Sequence, residues 1–165
     1  GIQWALASEL EIEGDVEGAI AIYEELYAQN TNSRAFANNL ARLISSYRTE
    51  PESLERAYTI ARRLRGTDVP PYQDTYGWIA HLLGNHEEAL SYLEPAAAAI
   101  PNDPLVRYHL GAVYAALGRP DEAREEYSVA LELIERNGVR VEALAKIEKA
   151  VSALDAPEEP ASAEN

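Results

Sequence analysis

The stretch DTYGWIAHLLGNHEEALSYLEPA, residues 74–96, decides the fold, because a similar stretch follows it at a fixed distance. Residues 108–130 read YHLGAVYAALGRPDEAREEYSVA, and small and large residues recur after 34 residues at six places. A period of this length indicates tandem helical hairpins that stack on one another. The matched pairs are Tyr76-Gly77 with Leu110-Gly111, Gly84 with Gly118, Ala89 with Ala123, Leu93 with Tyr127, and Ala96 with Ala130.

Two further repeats precede this pair. Residues 1–31 fit the same frame through Leu6-Ala7, Leu10, Gly14, Ala19, Tyr23 and Leu26. Residues 32–69 fit it only if about four residues are inserted at the turn between Tyr47 and Pro51. The pattern therefore predicts four repeats, at 1–31, 32–69 with a lengthened turn, 70–103 and 104–137.

The residues at helix ends agree with this frame. Proline suits the first turn of a helix, where its missing N–H costs nothing, and glycine suits a left-handed stop. Thr49 and Glu52 resemble a capping box at the start of the fourth helix. The predicted helices cover residues 2–13, 16–29, 33–48, 51–65, 71–83, 86–100, 104–117 and 120–136.

The segment after the last repeat has a different character. Residues 138–154 place apolar side chains at helical spacing, which predicts a capping helix over the exposed end of the last repeat. Residues 155–165 contain two prolines and several acids but no large apolar side chain. Such a segment does not bury enough apolar surface to offset its ordering entropy, so we expect a disordered acidic tail.

The charge balance excludes one class of partner. The 165 residues contain 14 Lys and Arg against 28 Asp and Glu, a net charge of −14, which disfavours phosphate backbones and therefore DNA and RNA. Residues 1–31 hold seven acids and no Lys or Arg, whereas residues 32–69 carry a net charge of +3. This asymmetry has two interpretations, solvated outer faces or a charge-selective groove.

The sequence contains no recognisable catalytic, metal-binding or phosphate-binding motif. The absence of cysteine removes disulfides, thiol catalysis and thiolate zinc sites, and no apolar run approaches the roughly 20 residues that cross a bilayer. His81, His86 and His109 do not stand at the i, i+4 spacing of helical metal ligands. No nucleophile elbow or glycine-rich phosphate loop occurs. We therefore expect no enzyme activity, no metal and no cofactor.

The order of small and large residues resembles the tetratricopeptide repeat (TPR) family. This resemblance implies an all-α TPR α-solenoid of about four helix-turn-helix repeats plus a C-terminal capping helix, acting as a non-catalytic adaptor or scaffold. The block NNLARLISSY from Asn38, together with residues 74–96 and 108–123, also resembles the closing repeats of bacterial TPR proteins, including lipoproteins of exopolysaccharide and PEP-CTERM systems. The expected setting is a bacterial cytoplasm, periplasm or cell envelope. The start at Gly1 and the absence of methionine favour a processed or excised piece of a longer array.

The family resemblance also implies a binding face. In TPR arrays the first helix of each hairpin lines a concave groove that holds a peptide or helix of a partner protein. Our candidate peptide-binding residues are Asn38, Asn39, Arg42, Asp74, Trp78, His81, Tyr108 and His109. The groove positions of the family also fall on Trp4, Ser8, Glu11, Ser45, Thr75, Leu105, Ala112 and Ala115 of this chain.

Other interpretations remain open. Trp78 can pack against a neighbouring hairpin, and Trp4 can be covered by an upstream repeat. The two asparagines can simply solvate a helix, whereas Tyr23, Tyr92 and Tyr127 on second helices are better explained as core. The Lys and Asn pattern that grips acidic heat-shock tails in some TPR proteins is absent. A rival function is a structural platform, in which the array forms a homo-oligomer through its ends.

Overall fold

The computed structural model describes residues 1–138 and 141–156, which form helices joined by short turns with no β-strand among them. The helices are α1 Ile2–Glu13, α2 Val16–Gln29, α3 Arg34–Tyr47, α4 Pro51–Ala61, α5 Pro70–Leu82, α6 His86–Ala99, α7 Pro104–Ala116, α8 Pro120–Asn137 and α9 Val141–Asp155. The chain divides into two compact units, Gly1–Ile100 and the remainder from Pro101 onwards. The all-α class predicted from the sequence is confirmed.

Local signals in the sequence explain several helix ends. Gly14 adopts a left-handed φ of 85°, and its N–H donates to the carbonyl of Glu11 at 3.1 Å. The Asp103 carboxylate caps α7 by accepting from two backbone N–H groups. The capping box predicted for α4 is wrong, because Glu50 precedes that helix and makes no side-chain capping bond.

The fourth helix also ends earlier than predicted. Helix α4 stops at Ala61 and continues as a 3₁₀ turn over Arg62–Leu64, instead of running to residue 65 as an α-helix. The tighter turn directs Leu64 into the core, where it is 0% exposed.

The unit Gly1–Ile100 contains three antiparallel hairpins, α1/α2, α3/α4 and α5/α6. Helix α2 packs against α3, α4 packs against α5, and the first helices α3 and α5 are also in contact. Its core combines small residues at helix crossings with larger ones between hairpins. Fully buried large side chains include Tyr23, Leu40, Leu43, Ile44, Ile60 and Tyr76.

Ion pairs join the first hairpin to the second. Arg48 at the end of α3 pairs with Glu17 on α2, and Arg56 on α4 pairs with Glu24 on α2. The acidic stretch and the basic stretch of the sequence therefore meet and neutralise each other in part. Neither interpretation of the charge asymmetry predicted this pairing.

The second unit contains the hairpin α7/α8, with α9 packed against both helices. Ala143 and Ile147 on α9 are 6% and 0% exposed, so α9 covers the hairpin with an apolar side. The four repeat boundaries and the limits of the capping segment stay predictions. Asp155, predicted to begin the tail, ends α9, while residues 157–165 of that tail lie outside the described part of the chain.

Two glycines allow close helix crossings. A Cβ on Gly77 of α5 would lie 2.9 Å from Leu93 Cγ, and one on Gly111 of α7 would lie 2.6 Å from Tyr127 Cε1. Real carbon contacts of this kind are longer, so each hairpin closes only because its first helix lacks a side chain there.

Candidate functional site

A buried hydrogen bond joins the first helices α3 and α5. The Thr75 hydroxyl donates to Asn38 Oδ1 at 2.7 Å, and Asn38 Nδ2 donates to Asn39 Oδ1 at 3.1 Å. Asn38 is only 7% exposed, and both ends of its amide are hydrogen-bonded within the chain. Asn38 therefore joins two helices and holds Asn39, and its role as a ligand contact stays a prediction.

Arg42 lies one turn beyond Asn38 on α3 and connects to the first hairpin. Its Nη2 donates to Glu11 Oε2 of α1 at 2.8 Å, and the two side chains are 38% and 22% exposed. Burial raises the pKa of the nearby Tyr23 phenol, a hydrogen bond with Ser8 partly offsets this shift, and the charge of Glu11 adds to it. The region around Arg42 is thus polar, partly solvated and partly neutralised.

Trp78 and two histidines form an aromatic cluster between α5 and α6. The rings of Trp78 and His81 stack with centroids 5.1 Å apart and an interplanar angle of 28°. His81 Nδ1 lies 3.0 Å from His86 Nδ1, a hydrogen-bonding distance whose donor depends on the tautomers. Trp78 and His81 are half-buried, so the stacked pair keeps part of its surface in solvent.

The cluster was only partly foreseen from the sequence. His81 and His86 are five residues apart and fail the helical ligand spacing, yet the turn between α5 and α6 brings their rings together. Among the residues that the structure describes, no group of three or more His, Cys, Asp or Glu is arranged to hold a metal ion.

The remaining candidates of the first unit lie on the same helices. Asn39 on α3 and Asp74 on α5 are half-buried, and Asp74 precedes the Thr75 that bonds Asn38. Asn39 Oδ1 accepts from Asn38, and within the described residues Asn39 Nδ2 donates no hydrogen bond. An amide of this kind can donate to a peptide carbonyl.

The second unit carries Tyr108 and His109 on α7. Both are half-buried, and the ring of Tyr108 lies 5.7 Å from His109 and 6.0 Å from Tyr127. Burial raises the pKa of the Tyr108 phenol. Tyr127 itself is 2% exposed and belongs to the core, as predicted.

Other aromatic residues support packing. Trp4 lies between Tyr23, whose ring is 5.7 Å away at an edge-on angle of 80°, and Phe36, also 5.7 Å away. Trp4 therefore packs against α2 of its own hairpin and against α3 of the next one. Tyr92 behaves similarly, since its ring is 4.5 Å from that of Tyr76 and its hydroxyl accepts from the Gly66 N–H at 2.8 Å.

Two residues of the face were absent from the candidate set. Glu11 pairs with Arg42, and Thr75 bonds Asn38, although both occupy groove positions of the family frame. Charge complementarity between neighbouring first helices is the sequence signal for Glu11. The Thr75 contact had no such signal, because it depends on how closely α3 and α5 approach.

Comparisons with known proteins agree with this architecture. Residues 80–147 match the family model described as tetratricopeptide repeat. A search of the curated proteins finds no significant match. Over the described residues, no helix has the length and apolarity needed to cross a membrane.

Several solved structures are similar. TTC0263, a thermophilic TPR protein in Thermus thermophilus, shares 21% identity, with 91% of this chain and 80% of that chain covered and a TM-score of 0.63. MamA from AMB-1 shares 19% identity over 81% of this chain and 78% of that chain, with a TM-score of 0.58. A MamA RS-1 double mutant shares 16% identity over 94% and 96%, with a TM-score of 0.56.

These likenesses concern the fold alone, since all three identities are low. Paired helices at a 34-residue period and similar solved structures define a helical-repeat protein. Residues 80–147 carry the match to the tetratricopeptide repeat model, and the all-α solenoid class expected from the sequence is confirmed. The narrower resemblance to envelope-associated TPR lipoproteins stays a prediction.

Proposed function

We propose that this protein is a non-catalytic adaptor whose first-helix face in the unit Gly1–Ile100 binds an extended peptide or a helix of a partner protein. TPR domains are protein-interaction modules, and this supports a protein partner. The proposed contacts are Asn39, Arg42, Asp74, Trp78 and His81, with Asn38 as a positioning residue. Tyr108 and His109 are proposed as additional contacts on α7 of the second unit.

The partly exposed stack of Trp78 on His81 is the observation that carries this proposal. Tryptophan and arginine are the side chains that most often dominate the free energy of protein interfaces. Here an aromatic surface and a guanidinium lie on adjacent first helices, which the Asn38–Thr75 hydrogen bond holds together. An interface of this composition suits a segment with an apolar anchor and a nearby acceptor.

A role in bacterial assembly or at the cell envelope is a further part of the proposal. It rests on the resemblance of residues 38–47, 74–96 and 108–123 to closing repeats of bacterial TPR proteins. The similar solved structures support the fold of such a protein, and the envelope role depends on the sequence resemblance.

Affinity capture with matched variants tests the adaptor function. The protein and a Trp78→Ala/Arg42→Ala variant are immobilised and exposed to bacterial lysate and envelope extracts, and retained proteins are identified by mass spectrometry. The control variant, Tyr47→Ala/Arg62→Ala, removes one exposed aromatic and one exposed arginine elsewhere in the same unit. Circular dichroism confirms that all three proteins remain helical.

We expect a partner that is retained by the wild type and the control and lost from the Trp78→Ala/Arg42→Ala variant. Calorimetry with the bound segment as a synthetic peptide then gives the dissociation constant. Equal retention by all three proteins would move the interface away from Trp78 and Arg42 and overturn the proposal.

A self-associating platform is the second candidate. Ile2 and Ile12 on α1 are 89% and 87% exposed, and this favours an additional contact at α1. Light scattering after chromatography over a wide concentration range tests it, because a constant monomer mass would exclude self-assembly of this chain.

A further inference from the structure

Arginines at one end of the α3/α4 hairpin form an exposed basic patch. Residues 32–69 contain seven arginines, and three of them pair with Glu11, Glu17 and Glu24 of the first hairpin. The other four are exposed, and within the described residues none of them makes an ion pair. We call these four the basic patch, and they are Arg34, Arg62, Arg63 and Arg65.

Packing at the end of α4 brings these arginines together. Arg62, Arg63 and Arg65 lie in the 3₁₀ turn or directly after it. Side chains three residues apart in such a turn point the same way, so Arg62 and Arg65 share one side. Arg63 Nη1 donates to Asn32 Oδ1 at 3.4 Å, and Arg34 follows two residues later as the first residue of α3. The 3₁₀ turn also contacts α3 directly.

The acids of the same hairpin lie away from the patch. Glu50, Glu52 and Glu55 precede α4 or lie in its first half, whereas the 3₁₀ turn follows its last residue. Asp68 is the acid nearest to the patch in sequence, and within the described chain it forms no ion pair. The patch is therefore a local positive region on a chain whose net charge is −14.

Stabilisation of the helices does not account for the whole patch. Basic side chains at the C-terminus of a helix interact favourably with its dipole, which explains arginines after α4. Arg34 has the opposite effect, because it lies at the first position of α3, where the dipole is positive and the first turn contains no acid. Like charges are thus gathered at this edge without a counter-charge, and a bound anion would relieve their repulsion.

The arrangement of the patch favours carboxylates spaced along a peptide chain. Its guanidinium groups are spread over the start of α3 and the end of α4, and arginine pairs with carboxylates through two parallel hydrogen bonds. A single phosphate is held best where free backbone N–H groups converge. Here the Phe36 N–H is capped by the Ser33 hydroxyl, and the Gly66 N–H donates to the Tyr92 hydroxyl at 2.8 Å.

Charge outside the patch limits the partner to a short segment. The net charge of −14 repels an extended polyanion such as a nucleic acid or an anionic membrane. Screening at physiological salt acts over about 8 Å, so a short acidic segment responds mainly to the arginines that it touches. Val69 is 38% exposed and follows Arg65 by four residues, and it offers the segment an apolar contact.

We propose that the basic patch binds an acidic segment of a partner protein. Carboxylates of the segment pair with Arg34, Arg62 and Arg65, while the bond to Asn32 holds Arg63 beside them. None of these residues belongs to the proposed adaptor site at Arg42 and Trp78.

A pair of matched peptides tests the proposal. The probe is a rhodamine-labelled peptide with the order Glu-Glu-Leu-Asp-Glu-Glu. The control peptide, Gln-Gln-Leu-Asn-Gln-Gln, has the same shape and no carboxylate side chains. Binding to the full chain is measured by fluorescence polarisation at low and high salt, and circular dichroism confirms that each variant remains helical.

We expect the acidic peptide to bind about tenfold or more tightly than the amide peptide at low salt, with the difference reduced at high salt. Arg62→Gln/Arg65→Gln should weaken binding of the acidic peptide by about fivefold or more, because two ion pairs are lost.

A matched variant separates the patch from net charge. Arg48→Gln/Arg56→Gln removes the same charge from arginines that already pair with Glu17 and Glu24. It should change binding of the acidic peptide by less than about twofold, since those guanidiniums are neutralised within the chain. Trp78→Ala should leave this binding unchanged, so that failure here and failure of the adaptor site are distinguishable.

Four results would overturn the proposal. The first is equal binding of the acidic and amide peptides. The second is equal weakening by the two double-arginine variants, which would indicate a response to net charge alone. The third is tighter binding of a short oligothymidylate than of the acidic peptide, which would make the ligand a phosphate chain. The last is a dimer in light scattering that becomes a monomer in Arg62→Gln/Arg65→Gln, since acids of a second copy would then occupy the patch.

Discussion

Arg42 Nη2 of α3 donates to Glu11 Oε2 of α1 at 2.8 Å, so two neighbouring first helices share one ion pair on the proposed binding face. Both side chains keep contact with solvent, and exposed pairs of this kind are worth roughly 0.2–1 kcal/mol. A carboxylate or carbonyl of a ligand can therefore compete with Glu11 for the guanidinium at little cost. The pair holds Arg42 in place and leaves it available for binding.

The first prediction concerns the strength of this pair. In a double-mutant cycle with Glu11→Gln and Arg42→Ala, we expect a coupling free energy of at most about 1 kcal/mol, because the pair is partly solvated. Urea unfolding followed by circular dichroism provides the four stabilities. A coupling well above about 2 kcal/mol would mean that the pair is mainly structural and that Arg42 is poorly available to a ligand.

The second prediction concerns the bond between α3 and α5. Asn38→Ala removes one acceptor of the Thr75 hydroxyl, which can still donate to the Pro71 carbonyl at 3.2 Å, and we expect a loss of about 0.5–1.5 kcal/mol in the free energy of unfolding. Asn39→Ala on the same helix removes only the acceptor of Asn38 Nδ2, leaves the bond between α3 and α5 in place, and should cost less. Equal costs for the two variants would contradict the positioning role of Asn38.

The fold was predictable from the sequence because hairpin packing restricts residue size at fixed positions. Gly77 and Gly111 recur 34 residues apart, where a Cβ would collide with the second helix, and this requirement is visible in the sequence. The end of α4 was less predictable, because the 3₁₀ turn at Arg62–Leu64 depends on burying Leu64 against the other helices.

The candidate site was predictable only as a set of positions. The family frame placed Arg42 and Trp78 on first helices, but it did not indicate that Asn38 bonds Thr75 or that Arg42 bonds Glu11. Those partners are separated by more than thirty residues in sequence. Their contacts follow from the spacing and rotation of packed helices, which local patterns do not specify.

The third prediction concerns the closest helix crossing. In an exposed helix, replacing glycine by alanine stabilises by about 0.5–1 kcal/mol. For Gly111→Ala we expect the opposite, a loss of about 1–3 kcal/mol, because the new Cβ would lie 2.6 Å from Tyr127 Cε1 and 3.2 Å from the Ala123 carbonyl. Thermal and urea unfolding measure the change, and Gly111→Ala combined with Tyr127→Leu should recover part of it. A more stable Gly111→Ala protein would show that the crossing is looser than described.

The last prediction concerns alkaline pH. Burial, aided by the neighbouring Tyr108, raises the pKa of Tyr127 from 10.0 to about 12. Between these values the unfolded chain loses its proton and the folded chain keeps it, so stability must fall as the pH rises from 10 towards 12 and is unaffected by this group below 10. Burial also raises the pKa of Tyr23 and Tyr76. The contribution of Tyr127 is therefore isolated as the difference between the wild type and Tyr127→Phe in urea unfolding at pH values from about 9 to 11.5, with tyrosinate absorbance recorded in parallel. We expect the variant to lose less stability over this range, and identical pH profiles would contradict the raised pKa of Tyr127.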